Sequence, residues 1–392
     1  MNTSAAFDKK IDRLGSNSFK YDMMGKLFGT TDAIPMWVAD MDFASPDFVL
    51  DAIRERCDHG ILGYTLLPQG WSAAIVNWMR QRHGWNVTPQ QLGFIPGIVS
   101  GLGLAIQCFS QPGDGILVQT PVYPPFMSLP TANDRKLVIN RLVFHDGQFH
   151  IDFADFERQV ATCTLFLLCN PHNPGGRIWT IDELERMCAI CNKYGVLIVS
   201  DEIHADLALP GHTHHCPGSF SPELSNNIIT LMAPSKTFNI PGLSSSYFII
   251  QNEALRKQFA AYLDRAELGY GSLFSIIAAQ AAYEKGHEWL EQLKTYLATN
   301  IEYVDSFLKQ HTPRIKACLP DASFLIWLDC RELLLDDHSL KHFFLKEAGL
   351  ALNAGASFGP GGEGFMRLNI GCPRSTVEQA MEQLKVAYQS RF

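Results

Sequence analysis

No run of apolar residues in the 392-residue sequence reaches the roughly 18 that a membrane-spanning helix needs. The opening stretch, MNTSAAFDKKIDRLGSNSF, has no apolar core of the kind a secretory signal carries, so the sequence predicts a cytoplasmic protein without a membrane partner. Basic charge is scarce as well. Lys and Arg total 32 against 40 Asp and Glu, a formal charge of −8, which argues against a surface built to hold nucleic acid phosphates. Internal repeats and low-complexity tracts are missing. Ten cysteines are scattered without framework spacing, which argues against a disulfide scaffold and for reduced thiols. Cys188 and Cys191 do form a CAIC pair, but no second dithiol pair completes a zinc site, and the surrounding DELERMCAICNKYG has the period of a helix packed on one face. The loop GHTHHC, with His212, His214, His215 and Cys216, reads as solvated rather than metal-binding, so no metal is expected.

What is present is enough apolar material for a sizeable core: 46% of residues are hydrophobic, in the usual globular range of roughly 45–50%. Between about residues 95 and 250, short apolar runs alternate with helical patterns. The runs are ILVQ (116–119), LFLLC (165–169), VLIVS (196–200), NIITLMA (227–233) and SYFII (246–250). This alternation predicts an α/β fold around a mostly parallel sheet. One intervening helix is announced by Thr180 and Glu183, spaced as a capping box, and closed by Gly195. Beyond residue 285 the pattern changes to long charged helices followed by SFLIWLDC, ALNAGASFG and FMRLNIG, which predicts a smaller α+β C-terminal domain. The expected division is an N-terminal segment, 1–47, draped over the small domain and the active site, a large domain, 48–285, and the small domain, 286–392.

In open α/β sheets ligands bind beyond the carboxyl ends of strands, so the residues that follow each run matter most. LFLLC is followed by Asn173 in NPHNPGGR, VLIVS by Asp201 and His204 in DEIH, and NIITLMA by Ser235 and Lys236 in PSK. Lys236 is the only charged residue of LMAPSKTFNIPGL, 231–243. The segment lacks the glycine frame of a phosphate-binding P-loop. An isolated lysine in apolar surroundings suits Schiff-base chemistry, because burial lowers its proton affinity. Pyridoxal 5'-phosphate supplies the matching aldehyde, and an acidic residue beside its ring nitrogen, here Asp201, keeps the ring electron-accepting. The helix start at PGIVSGLG, with the backbone of Ile98 and Val99, can receive the phosphate, with Ser235 adding a hydroxyl and Tyr123 an aromatic face.

Taken together, MWVADMDF (36–43), GYTLLPQG (63–70), PGIVSGL (96–102), TPVYPPF (120–126), NPHNPGGR (170–177), SDEIHADL (200–207), APSKTFNIPGL (233–243) and FMRLNIG (365–371) give the chain its resemblance. It resembles the fold-type I pyridoxal phosphate enzymes, and within them the MalY/PatB group of cystathionine β-lyases, or C–S lyases, over nearly its whole length. The resemblance implies Lys236 as the Schiff-base lysine, Asp201 as the ring-nitrogen partner, Asn173 as a donor to the cofactor's phenolic oxygen and Tyr123 as the stacking ring. It implies a homodimer with shared active sites, Tyr64 reaching the neighbour's cofactor phosphate. Arg367 would clamp the substrate α-carboxylate, with Trp37 and Ala39 on the substrate side. Aminotransferases often carry a tyrosine where His204 stands and an arginine near Ser244; both departures fit the lyase group. The implied reaction is β-elimination on a sulfur amino acid such as L-cystathionine, within methionine biosynthesis. Transamination is the alternative among enzymes, and a cofactor-binding regulatory protein acting through a protein partner is the alternative of another class.

Overall fold

In the computed structural model, which describes residues 4–392, the apolar runs form the centre of a seven-stranded sheet. Its strands are β1 (Leu92–Ile95), β2 (Gly115–Thr120), β3 (Lys136–Arg141), β4 (Leu165–Cys169), β5 (Leu197–Asp201), β6 (Ile228–Met232) and β7 (Ser246–Ile249). They lie in the order β1-β7-β6-β5-β4-β2-β3. All neighbours are parallel except β7, which runs antiparallel to β1 and β6. β2, β4, β5 and β6 are buried at every position, which is why they read as unbroken apolar runs and not as alternation.

The crossover helices pack on the sheet for readable reasons. Ile181–Tyr194 starts at the capping box, with Glu183 N–H donating to Thr180 Oγ1 at 3.2 Å and Thr180 N–H to Glu183 Oε2 at 3.0 Å. It stops at Gly195, whose φ of 68° is the left-handed conformation that ends helices. Its buried face includes Leu184, Met187, Cys188 and Cys191, so the CAIC thiols belong to the core. The helix Ile98–Phe109 follows Gly97, at φ 110°, and Gly101 lets it approach the sheet: a Cβ there would meet Ile95 Cδ1 at 2.6 Å.

A second, four-stranded antiparallel sheet contains β8 (Lys316–Cys318), β9 (Leu325–Asp329), β10 (Asn353–Ala354) and β11 (Phe365–Asn369), ordered β8-β9-β11-β10. The 25-residue helix His287–His311 presents Leu290, Leu293, Leu297, Ile301, Val304 and Leu308 to a core that also holds Leu325, Ile326 and Leu384. Among the described residues no helix is long and apolar enough to cross a membrane.

Residues 13–43 join the two sheets. Ile34–Pro35 pairs in parallel with Leu350–Ala351. The next stretch is held from both sides: Asn369 Nδ2 donates to the carbonyls of Val38 and Asp40, while Asn239 bonds Met41 through its side-chain oxygen and nitrogen.

The reading of GHTHHC as a solvated loop needs correction. His214 and Cys216 are buried, and His214 Nε2 lies 2.7 Å from Glu202 Oε2. Glu202, His214 and Cys216 bring their ligand-type atoms within 4.8 Å of one another. The pattern of polar residues in the loop could not show that Glu202, just after β5, draws two of them inward.

Candidate active site

The carboxyl ends of β4, β5 and β6 deliver Asn173, Asp201 and Lys236 to one cavity of ≈ 360 Å³. The same cavity is lined by Trp37, Ala39, Ile98, Val99, Tyr123, His204, Ser235 and Arg367. All the site residues named from the sequence therefore converge, except Tyr64. Tyr64 is fully exposed in a stretch without regular secondary structure and is not part of the lining.

Each ionisable group in the cavity lacks a full partner. Lys236 is half-buried in the cavity wall and its Nζ donates to a neutral acceptor, the Ala39 carbonyl. Burial lowers its pKa to about 8, with Asp40 and Asp201 opposing that shift and Arg367 adding to it. Asp201 accepts the Ile203 N–H at 3.0 Å, yet burial still pushes it up to about 7. Such a carboxylate is stabilised as an anion by a cation placed beside it. His204 is held neutral, burial taking its pKa down to about 3, and its Nδ1 is a buried atom without a hydrogen bond.

Arg367 projects from β11 and is buried. Nη1 donates to Asn173 Oδ1 at 3.0 Å, and Nη2 donates to the Trp37 carbonyl at 2.9 Å and to Asn353 Oδ1 at 2.8 Å. Every one of these acceptors is neutral, Nε is buried without a partner, and burial lowers the pKa to about 10. A buried guanidinium held in place but not neutralised is prepared for a carboxylate. Because Arg367 occupies Asn173 Oδ1, the Asn173 amide nitrogen is the group left to donate to a ligand.

Trp37 does two jobs. It lines the cavity while its ring packs with Phe19 and Phe28 at centroid distances of 5.4 and 5.2 Å, and Nε1 donates to the Lys20 carbonyl at 3.0 Å. Phe19 and Asn353 also belong to the cavity wall and were not legible as site residues. Phe19 sits in a four-residue helix and Asn353 on a two-residue strand, too short for periodicity to mark.

With this geometry in view, the chain can be assigned to a family. The model of the aminotransferase class I and II family matches residues 38–384, and the chain belongs to that family. Within it, the chain is 46% identical over 383 residues to the cystathionine β-lyase PatB of Bacillus subtilis, covering 97% of this chain and 99% of that protein. Among solved structures, cystalysin from Treponema denticola, which contains a pyridoxal 5'-phosphate cofactor, superposes with a TM-score of 0.95 at 32% identity over 98% of each chain. The pyridoxal phosphate-bound C–S lyase of Staphylococcus hominis gives a TM-score of 0.91 at 37% identity over 97% of each chain. The similarity thus runs through both sheets and the segment between them.

Proposed function

We propose that the protein is a pyridoxal 5'-phosphate-dependent carbon–sulfur lyase that acts on sulfur amino acids by β-elimination, with L-cystathionine giving homocysteine, pyruvate and ammonia. The observation that carries this reading is the convergence on one cavity of an amine bonded only to a carbonyl, a carboxylate bonded to a backbone N–H and a buried guanidinium held by neutral acceptors. The cofactor fits each demand. Its protonated ring nitrogen is the cation that Asp201 lacks, and its aldehyde is the partner for Lys236. Its phosphate suits the start of the helix Ile98–Phe109, with the backbone of Ile98 and Val99 and the Ser235 hydroxyl. Asn173 would donate to the phenolic oxygen, Tyr123 would stack on the ring, and His204 would pack nearby as a neutral imidazole.

When bound, pyridoxal phosphate supplies an aldehyde carbon that carries the substrate nitrogen and a ring that takes up the electron pair released at Cα. The chain's own residues do the rest. Arg367 grips the α-carboxylate, and Asn173 and Asn353 hold the guanidinium in its plane, which fixes the orientation of the Cα–H bond. Lys236, freed as a neutral amine because burial weakens its hold on a proton, removes the Cα proton at Nζ. Trp37 and the Ala39 backbone form the substrate side of the cavity and keep water from the reacting carbon.

Several finer points belong to the same reading. Residues 48–285 act as the cofactor-holding domain, 286–392 as the smaller domain bringing Arg367, and 1–47 as the segment covering the site. The enzyme is a cytoplasmic homodimer in which Tyr64 completes the neighbour's phosphate site; its full exposure supports a role outside its own subunit. Release of homocysteine would place the reaction in methionine biosynthesis.

The test is a visible spectrum of the purified protein, then addition of L-cystathionine with parallel assays for pyruvate and free thiol. A cofactor band and equal yields of both products, lost in Lys236→Ala, are expected. A band without pyruvate would instead indicate transamination, and no band after adding cofactor would overturn the assignment.

A further inference from the structure

A fully buried lysine lies on the segment that touches Lys236. Lys20 is 1% exposed, and its Nζ lies 2.7 Å from Asp42 Oδ2 and 3.9 Å from Asp40 Oδ1. Arg13 completes the cluster, with Nη1 2.6 Å from Asp42 Oδ1 and Nη2 2.6 Å from Asp40 Oδ2. The two carboxylates are treated unequally. Asp42 has a cation hydrogen-bonded to each oxygen, whereas Asp40 has one such bond, at Oδ2, and its Oδ1 is buried without a hydrogen bond, with Lys20 no nearer than 3.9 Å.

Asp40 is the residue after Ala39, whose carbonyl accepts the Lys236 Nζ–H, and its own carbonyl is fixed by Asn369 Nδ2 at 2.7 Å. An under-neutralised carboxylate is therefore built into the backbone that meets the amine. After the burial that lowers the Lys236 pKa, the largest influence is Asp40, acting upward and ahead of Asp201.

We propose that Asp40 is a positioning residue of the reaction, held by Arg13 and Lys20 so that its charge stabilises the ammonium that Lys236 becomes on taking the substrate's Cα proton. This rests on the function proposed above. In that step the Cα–H bond breaks, an N–H bond forms at Nζ, and the electron pair remains on the substrate side. The new cation arises in a buried place with Arg367 as a like charge nearby. Asp201 is occupied at the ring nitrogen, which leaves Asp40 as the counter-charge. The charged groups acting on Lys236 are Asp40, Asp201 and Arg367, with His204 neutral; those around Asp40 are Arg13, Lys20 and Asp42.

The experiment compares holoenzymes of Asp40→Asn, Asp42→Asn and Arg13→Gln. It reads the pH midpoint of the visible cofactor band without substrate, which reports protonation of the nitrogen Lys236 contributes, together with the pH profile of kcat/KM and the Tm. Asp40→Asn is expected to move both the midpoint and the acidic limb to lower pH by about one unit, a tenfold change in proton affinity. Arg13→Gln, which uncovers the Asp40 charge, is expected to move them the other way. Asp42→Asn breaks the same cluster and is expected to lower the Tm while leaving the midpoint in place. Unmoved midpoints in Asp40→Asn and Arg13→Gln, or equal shifts in Asp40→Asn and Asp42→Asn, would overturn the proposal by making the cluster purely structural. Should Asp40→Asn fail to fold, the partly exposed Arg13→Gln decides alone through the direction of its shift. A wild-type protein with no cofactor band would fail the functional reading itself, a result distinct from a band whose midpoint ignores Asp40.

Discussion

Lys20 is buried and Lys236 half-buried, and Arg13 and Arg367 are both held in place by several hydrogen bonds, yet the two pairs are opposite in electrostatic state. In the N-terminal cluster each cation meets carboxylates, and Asp40 and Asp42 hold the Arg13 proton more firmly than usual against the opposing effect of burial. In the cavity, Lys236 meets a carbonyl and Arg367 meets amides, and burial lowers both. A buried cation with its charge matched fastens the chain. A buried cation left unmatched is available to a ligand, at a cost that the rest of the fold must carry.

Exchanging the roles of the two pairs should produce different kinds of damage. Lys236→Ala is expected to reduce turnover by about 10³-fold or more, the scale of losing a positioned base, with the Tm nearly unchanged; pyruvate release and differential scanning calorimetry on one preparation check both halves. Lys20→Met should do the reverse in kind, costing about 3–5 kcal/mol of stability because Asp42 is left buried with one cation fewer, as measured by urea denaturation. Arg367→Ala should lower kcat/KM by roughly 30-fold or more, from a loss of about 2 kcal/mol or above, chiefly as a higher KM. Steady-state kinetics that instead showed a fall in kcat alone would place Arg367 in the chemical step and not in substrate capture.

A further effect is in pH. Asp201 binds its proton more tightly in the folded cofactor-free protein, at about 7, than in the unfolded chain, near 3.8. The native state therefore holds more protons between those values, so cofactor-free protein should lose stability as pH rises from about 4 to 7. Thermal melts of Asp201→Asn should lack that slope, and cofactor binding should flatten it by supplying the cation.

The cavity's sheet-borne residues were legible because buried parallel strands leave an unambiguous signature. LFLLC coincides with β4, and the chemistry follows within a few residues of each strand end. The edge strands β1 and β3 were not read. LGFI carries a glycine and KLVINR is charged at both ends and exposed there, so neither looks like a core run. Arg13, Lys20 and Asp40 were invisible for another reason: Arg13 lies 27 positions from Asp40, and only the folded path of the segment makes neighbours of them. Local patterns reveal residues that a strand presents; they do not reveal charges that meet through tertiary structure.

The stretch 36–41 is bonded to Arg367 through the Trp37 carbonyl and to Lys236 through the Ala39 carbonyl. A single backbone strip thus sets the spacing between the guanidinium proposed to grip a carboxylate and the amine proposed to move a proton. On the proposed function, the head of any α-amino acid would be measured by this one gauge, whereas side chains such as Phe19 at the cavity wall would meet whatever hangs from the sulfur. Recognition of the amino-acid head and choice of leaving group are consequently separable traits, and the second can drift in evolution while the first stays calibrated.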